Sequence, residues 1–140
     1  MPYKPKIRGI CETVLYTDSV EASLGFYAHV LNLQLMMQTD TMLAFDAGTS
    51  QALLIFDRGF ASQDHELYGG FIPGHRADGP AHMAFHISVR EFDDWKSYLL
   101  SRKVAITGEV TFPSGGRSLY FDDPSGNVIE LATPGHWPNF

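Results

Sequence analysis

The sequence has one cysteine, no long apolar run and few basic residues, and each shortage excludes a class of protein. Cys11 is the only cysteine among 140 residues, so the chain forms no internal disulfide, and this favours a cytoplasmic location. No apolar run approaches the length of a membrane span, so no membrane partner is expected. The 10 lysines and arginines are scattered and outnumbered by 16 acidic residues, so no basic surface for nucleic acid is expected.

What the sequence does contain is enough apolar material for one folded domain. Hydrophobic residues make up 44% of the chain and charged residues 19%, which is ordinary for a soluble globular protein of 140 residues. The N-terminal segment MPYKPKIRG carries basic residues but no apolar stretch after them. It therefore does not predict a secretory signal.

The first part of the chain has the pattern of one strand, one helix and three further strands. Residues 10–17 are typical of a strand, and Asp18 is the predicted N-cap of a helix, with Glu21 as its capping-box partner. Apolar residues then follow at helical spacing at Val20, Leu24, Tyr27 and Leu31. Three short strands are predicted at 33–38, 42–47 and 52–56.

The second part of the chain repeats this order. A strand is predicted at 81–89, and Ser88 with Glu91 forms a second capping box before a helix. Strands follow near 105–111, 117–122 and 127–132. Adding 70 to Glu12, Asp18 and Glu21 gives His82, Ser88 and Glu91. The sequence therefore predicts an α+β fold of two βαβββ modules that form a curved mixed sheet around a metal or ligand cavity.

Two segments lie outside the modules, so the expected organisation of the single domain is module one about 9–57, a connecting loop about 58–80, module two about 81–134 and a tail 135–140. The loop has five glycines, two prolines and no sustained periodicity. Its His65, Tyr68 and His75 are either solvated or part of a lid. In the tail, His136 and Trp137 either close over a pocket or belong to a loosely packed terminus.

Side-chain alternation places one ionisable residue per strand on the same face of the predicted sheets. These residues are Glu12, His82 and Glu130, each flanked by small or apolar neighbours on its face. Two carboxylates and an imidazole that converge repel one another unless a cation lies between them. Such ligands suit a divalent ion such as Zn²⁺, Mn²⁺, Fe²⁺ or Ni²⁺, and three protein ligands leave positions open for substrate.

Each of these three residues also has a purely structural alternative. Glu130 can pair with a neighbouring base such as Arg117, and His82 can be a core histidine with its hydrogen bonds satisfied. Glu12 can equally lie near the edge of the sheet.

Three further residues are candidates for catalysis. His86 shares the face of His82 and can act as a general acid or base, contact substrate, or pack at the rim. Tyr16 is its counterpart in the first module, although a buried phenol often only finds a backbone partner. Arg117, after Gly115 and Gly116, can bind an anionic substrate group or can be a solvated residue of a glycine hairpin.

Four segments resemble the vicinal oxygen chelate superfamily, which includes glyoxalase I, fosfomycin-resistance proteins, bleomycin-resistance proteins and extradiol dioxygenases. They are ETVLYTDSVEASLGFY, HVLNLQL, GPAHMAFHIS and LYFDDPSGNVIEL. The resemblance covers roughly residues 9–134, and the last segment is the most specific.

The resemblance implies a metal site built from Glu12, His82 and Glu130. Aligning Phe45-Asp46 with Phe121-Asp122 puts Leu54 at the position equivalent to Glu130, so the fourth ligand that some members have is missing. The implied function is a metal-dependent lyase, isomerase or thiol transferase acting on a small molecule, rather than a dioxygenase, because the set is not two histidines and one carboxylate. A homodimer is also implied. The alternative is a metal-free protein that sequesters a drug or metabolite.

Overall fold

The computed structural model describes residues 3–140, and the first of its two modules folds as the sequence predicts. A helix and four strands make up this module: β1 (Glu12–Thr17), α1 (Val20–Leu24), β2 (Leu35–Gln38), β3 (Met42–Asp46) and β4 (Ala52–Asp57). A π-helical segment, Gly25–Val30, continues α1. The strands lie in the order β1-β4-β3-β2, with β1 parallel to β4 and at the edge of the sheet.

The start of α1 differs by one residue from the prediction. Ser19, not Asp18, is the N-cap, because its hydroxyl accepts a hydrogen bond from the backbone N–H of Ala22 at 3.1 Å. Asp18 instead pairs with Arg58, with 3.4 Å between Oδ1 and Nε. Two adjacent residues with capping side chains allow either assignment from sequence, and the backbone selects the second.

The segment predicted as a loop over 58–80 contains a short helix and a hairpin. They are α2 (Arg58–Ala61), β5 (His65–Leu67) and β6 (Gly70–Ile72). The turn of the hairpin has positive φ at both Tyr68 (51°) and Gly69 (74°), as a tight two-residue hairpin turn requires. Strands of three residues are too short to show a period in the sequence.

The second module repeats the first. Its elements are β7 (His82–His86), α3 (Phe92–Ser101), β8 (Gly108–Thr111), β9 (Arg117–Asp122) and β10 (Val128–Ala132). The strand order is β7-β10-β9-β8, with β7 parallel to β10 and at the sheet edge. The predicted capping box at Ser88 and Glu91 takes another form, since the Ser88 hydroxyl makes no hydrogen bond to the helix backbone and donates to the Glu91 carboxylate at 3.1 Å.

One hydrophobic core joins the two modules. Alternate residues of the strands point into it, such as Leu15 in β1 and Ile129 in β10, which are 2% and 0% exposed. The helices add Tyr27 and Leu99, both fully buried. The predicted α+β fold of two βαβββ modules is therefore confirmed. Because one face of each sheet is used for the core, the other face of each sheet is left for a site.

A buried carboxylate ties the modules together at one end of this core. Asp123 accepts a hydrogen bond from the Tyr27 hydroxyl at 2.7 Å and from the backbone N–H and side-chain amide of Asn127, each at 2.9 Å. Tyr27 belongs to the first module and Asp123 to the second. In residues 3–140 no helix is both long and apolar enough to cross a membrane.

Candidate metal and substrate site

Strand register brings His82 and Glu130 together on the face of the second sheet that points away from the core. Parallel pairing sets His82 of β7 opposite Val128 of β10, and Glu130 follows two residues later on the same face. The His82 Nε2 atom lies 3.2 Å from Oε1 of Glu130. The Glu130 side chain is 10% exposed and that of His82 is 52% exposed, so the pair opens to solvent on the histidine side.

The backbone fixes which nitrogen of His82 faces the carboxylate. Nδ1 of His82 lies 2.9 Å from the carbonyl oxygen of Val128, which can only accept, so Nδ1 carries a hydrogen and donates it. In a neutral imidazole, Nε2 then presents a lone pair toward Glu130. A lone pair and a carboxylate oxygen at 3.2 Å need a proton or a cation between them, and this donor set suits a divalent metal ion.

The second oxygen of Glu130 is held by Ser118, a residue that the sequence analysis did not identify. The Ser118 hydroxyl donates to Oε2 of Glu130 at 2.5 Å and also lies 2.9 Å from Nε2 of His136. Since the one hydroxyl hydrogen goes to Glu130, His136 donates from Nε2. The signal was present in the sequence, because in a β9–β10 hairpin Ser118 and Tyr120 alternate onto the face of Glu130.

Tyr120 adds a neutral phenol beside the pair. Its ring lies roughly parallel to that of His82, with 6.2 Å between centroids and 28° between planes. Burial raises the pKa of Tyr120 above its ordinary value of 10.0, and the negative charge of Glu130 raises it further. Tyr120 is therefore protonated at neutral pH and is available as a hydrogen-bond donor.

The residues that follow β10, including the C-terminal tail, lie against this site. The backbone N–H of Arg117 donates to the Thr133 hydroxyl at 2.8 Å, and Thr133 donates its own N–H to the Arg117 carbonyl at 3.0 Å. Gly116 leaves room for His136, since a Cβ at Gly116 would lie 2.5 Å from Nδ1 of the histidine. Within residues 3–140 that Nδ1 is buried without a hydrogen-bond partner, so packing alone holds this side of the ring.

A cavity of about 780 Å³ lies between the tail and the sheet, with Glu130 on its wall. His86 also lines it and meets the ring of Phe140 edge-on, with 5.0 Å between centroids. A cavity of this size accommodates a small organic molecule. His86 therefore lies on the cavity wall, and a contact with substrate stays a prediction.

The other three candidate residues lie away from this cavity. Glu12 is exposed at the start of β1, on the first sheet. Tyr16, also in β1, places its hydroxyl 2.6 Å from Nδ1 of His75, and burial raises its pKa. Within residues 3–140 no three His, Cys, Asp or Glu side chains are grouped closely enough to hold a metal ion, so the chain by itself unites only His82 and Glu130.

Arg117 points to the opposite face of β9 from Ser118. Its guanidinium lies 3.8 Å from the centroid of the Phe92 ring and pairs with Asp93 at 3.6 Å and with Glu109 at 3.8 Å. The structural alternative for Glu130, pairing with Arg117, is therefore replaced by pairing with His82 and Ser118. Arg117 is not among the described residues that line the cavity.

The two sheets have matching registers around the candidate ligands. Glu12 lies opposite Ala52 on the neighbouring strand, as His82 lies opposite Val128. Two residues further along, Leu54 of β4 occupies the position of Glu130 in β10. The first module therefore has an aliphatic residue at this position.

Comparisons with known proteins agree with the architecture. The model of the family described as glyoxalase/bleomycin resistance protein/dioxygenase superfamily matches residues 9–131. The metallothiol transferase FosB of Staphylococcus haemolyticus is 24% identical over 128 residues, which are 91% of this chain and 84% of that protein. A crystal structure of the lactoylglutathione lyase from Agrobacterium tumefaciens superposes with a TM-score of 0.86 at 31% identity, covering 96% of this chain and 99% of the other.

Proposed function

Since the chain belongs to the glyoxalase/bleomycin resistance protein/dioxygenase superfamily, we propose that it is a divalent-metal-dependent enzyme that binds two adjacent oxygens of a small substrate. The observation that carries this proposal is the His82–Glu130 pair, in which a backbone carbonyl turns the free nitrogen of the histidine toward a nearly buried carboxylate 3.2 Å away.

The third ligand in this proposal is Glu12 of a second copy of the chain. Glu12 is exposed on the free face of the first sheet, and both β1 and β7 are edge strands with one side unpaired among residues 3–140. A two-fold arrangement that sets β1 of one copy beside β7 of the other brings Glu12 toward His82 and Glu130. The set of one imidazole and two carboxylates suits Zn²⁺, Mn²⁺, Ni²⁺ or Fe²⁺.

The residues of the chain have separate tasks in this proposal. His82 and Glu130 bind the ion, and Ser118 keeps the Glu130 carboxylate oriented. Tyr120 donates a hydrogen bond to substrate as a neutral phenol, and His86 contacts substrate from the cavity wall. The ion supplies Lewis-acid stabilisation of negative charge on a substrate oxygen.

A lyase, isomerase or thiol transferase reaction is favoured over oxygenation. One histidine and two glutamates differ from the two-histidine, one-carboxylate set of oxygen-activating iron sites. The relatives named metallothiol transferase and lactoylglutathione lyase support the first group of reactions.

A metal-free sequestering protein is the second candidate, and one observation favours it. Within the described part of the chain, Glu12 lies apart from the other two donors, so a single copy has only two of the three ligands. If copies do not pair as proposed, the cavity still binds small molecules but holds no ion.

Metal content separates the two candidates. We expect wild-type protein purified without chelator to bind one Zn²⁺, Mn²⁺, Ni²⁺ or Fe²⁺ per chain, and His82→Ala and Glu130→Ala to lose it. His65→Ala, which removes a histidine of β5, is the control and should keep the ion. Wild-type protein that binds no more of any of these ions than the two site variants would rule out the enzyme.

Mixing two variants tests whether the site is shared between copies. Glu12→Ala and Glu130→Ala should each be free of metal, whereas a refolded equimolar mixture should regain about a quarter of the wild-type metal, because half of the dimers are mixed and each has one complete site. A mixture that regains no metal contradicts the shared site, and so does Glu12→Ala protein that keeps its ion.

A further inference from the structure

The cavity beside Glu130 has small residues on its floor and aromatic residues on its walls. Ala84 of β7 and Ala132 of β10 leave the floor open, since neither side chain extends beyond its Cβ. Phe112, Trp137 and Phe140 form the walls, the last two from the tail. This combination makes a slot whose sides offer ring faces and edges.

The charges around the cavity select against an anionic group. Among the described residues that line it there is neither a lysine nor an arginine, and the nearby Arg117 is turned to the other face of β9. Glu130 contributes a carboxylate at one end. Apart from the ion of the proposed function, a phosphate, phosphonate or carboxylate in the slot would meet no lysine or arginine and only two histidines, His86 and His136, whereas an uncharged ring fits.

The tail that carries two of the walls is a defined structure. Its backbone closes on itself, with the N–H of Gly135 donating to the Phe140 carbonyl at 3.1 Å and the N–H of Phe140 donating to the Trp137 carbonyl at 3.0 Å. The side chain of His136, which is 10% exposed, is linked through Ser118 to Glu130. Trp137 is nevertheless 71% exposed, so much of its apolar surface is free to be covered by a ligand.

We propose that this slot binds an uncharged aromatic group of the substrate, and that Trp137 and Phe140 of the tail determine specificity for it. The substrate is then a molecule with two adjacent oxygens at one end, directed to Glu130, and an aromatic ring at the other. The position of the oxygen end rests on the proposed function, whereas the ring site stands on the cavity alone.

The ring site is tested first on metal-free protein. The probe is N-phenyl-1-naphthylamine, an uncharged aromatic amine that fluoresces in apolar surroundings and has no oxygen to chelate an ion. We expect saturable binding to wild type, at least tenfold weaker in Ala84→Trp, which fills the slot, and weaker in Trp137→Ala, which removes a wall. Trp137 is mostly exposed, so the second variant keeps the test valid if the first fails to fold.

Phe71→Ala is the matched control, because Phe71 is an aromatic residue of β6 that is 64% exposed and lies outside the cavity. It should bind the probe as wild type does. Equal binding by wild type, Ala84→Trp and Trp137→Ala would overturn the proposal, as would loss of binding in Phe71→Ala alone.

The alignment of the slot with the ligand pair is tested with two hydroxamates on Zn²⁺-loaded protein. Both compounds chelate through two oxygens, and they differ only in the group attached, which is methyl in acetohydroxamate and phenyl in benzohydroxamate. We expect benzohydroxamate to bind at least tenfold more tightly to wild type, and the difference to vanish in Ala84→Trp. Equal affinities in wild type would overturn the alignment. If Zn²⁺ does not load, the same pair of hydroxamates is compared on protein loaded with Mn²⁺, Ni²⁺ or Fe²⁺. Failure to load any of the four ions would reject the proposed function, and the ring site would then be judged from the amine titration.

Discussion

The two oxygens of Glu130 have different partners, and this difference sets the direction of the carboxylate. Oε2 accepts from Ser118 at 2.5 Å, while Oε1 lies 3.2 Å from His82. Rotation of the carboxylate would break the hydrogen bond from Ser118. The oxygen that faces His82 is therefore held in place before any ion or ligand arrives.

Removing the Ser118 hydroxyl should weaken metal binding without removing a ligand. For Ser118→Ala we expect affinity for Zn²⁺ to fall about 10- to 100-fold, as is usual when a hydrogen bond to a metal ligand is lost. Titration with Zn²⁺ in a calorimeter measures this. Ser101→Ala is the matched control, because that hydroxyl donates only to the Tyr98 carbonyl at the end of α3. Affinity in Ser118→Ala equal to that of the control would contradict the role assigned to Ser118.

The sequence carries more information about His82 and Glu130 than about their neighbours. A carboxylate in an aliphatic strand stands out, and side-chain alternation then brings it to the face of a histidine. A serine in a strand does not stand out, so Ser118 could only be found once β9 and β10 were paired in register. Arg117 was a candidate because arginine binds anions, but strand parity turns it toward Phe92.

At the scale of single elements, the start of α1 depends on which of two adjacent residues acts as the N-cap. Ser19 accepts the N–H of Ala22, whereas Asp18 makes an exposed ion pair with Arg58. Both residues are small and polar, and both are usual N-caps. The backbone of Ser19 is extended, with φ −144° and ψ 104°, as an N-cap requires.

These two neighbours should differ in their effect on stability. Ser19→Ala should lower the free energy of unfolding by about 1 kcal/mol, because a helix N–H loses its acceptor. Asp18→Ala removes a pair whose carboxylate is 77% exposed and should cost less than about 0.5 kcal/mol. Urea unfolding of the two variants, followed by circular dichroism, measures both. A larger loss in Asp18→Ala than in Ser19→Ala would return the cap to Asp18.

Long elements were easier to predict than short ones for a physical reason. Strands such as β1 and β10 are long enough for alternation to be visible, and α3 has its apolar stripe over 10 residues. The hairpin of β5 and β6 depends on two positive φ angles and three-residue strands, and neither leaves a periodic trace.

For the molecule as a whole, the contact between Tyr27 and Asp123 couples the two modules. Burial is the main cause that raises the pKa of Tyr27, followed by the negative charge of Asp123 and the hydrogen bond to it. In the unfolded chain the same phenol titrates near 10. The folded state therefore keeps a proton that the unfolded state loses once the pH exceeds about 10.

This difference gives stability an alkaline dependence that Tyr27 controls. Above pH 10 or so, the free energy of unfolding should fall by up to about 1.4 kcal/mol per pH unit from this group, since the folded state binds one more proton. Tyr27→Phe should be less stable at pH 7, by about 1–3 kcal/mol, because buried Asp123 loses a donor. Its stability should then decline less steeply than that of wild type between pH 10 and 11. Parallel declines would contradict the assignment.

The internal repeat was enough to predict two modules but not how their free faces meet. An offset of 70 residues makes Glu12 and His82 equivalent. The same offset is expected whether the two sheet faces that meet belong to one chain or to two. In the structure the inner faces share one core, which leaves the free faces of the two sheets apart. That outcome depends on how helices and sheets pack, and this packing cannot be predicted from any single residue.

The location of the cavity walls has an evolutionary consequence. Trp137 and Phe140 lie after β10 and outside the hydrogen-bond ladders of both sheets. Substitutions at Trp137 and Phe140 alter the shape of the cavity without removing a residue of the core or of the His82–Glu130 pair. The tail is thus the part of the chain through which descendants of this protein can acquire new ligands at the smallest risk to folding.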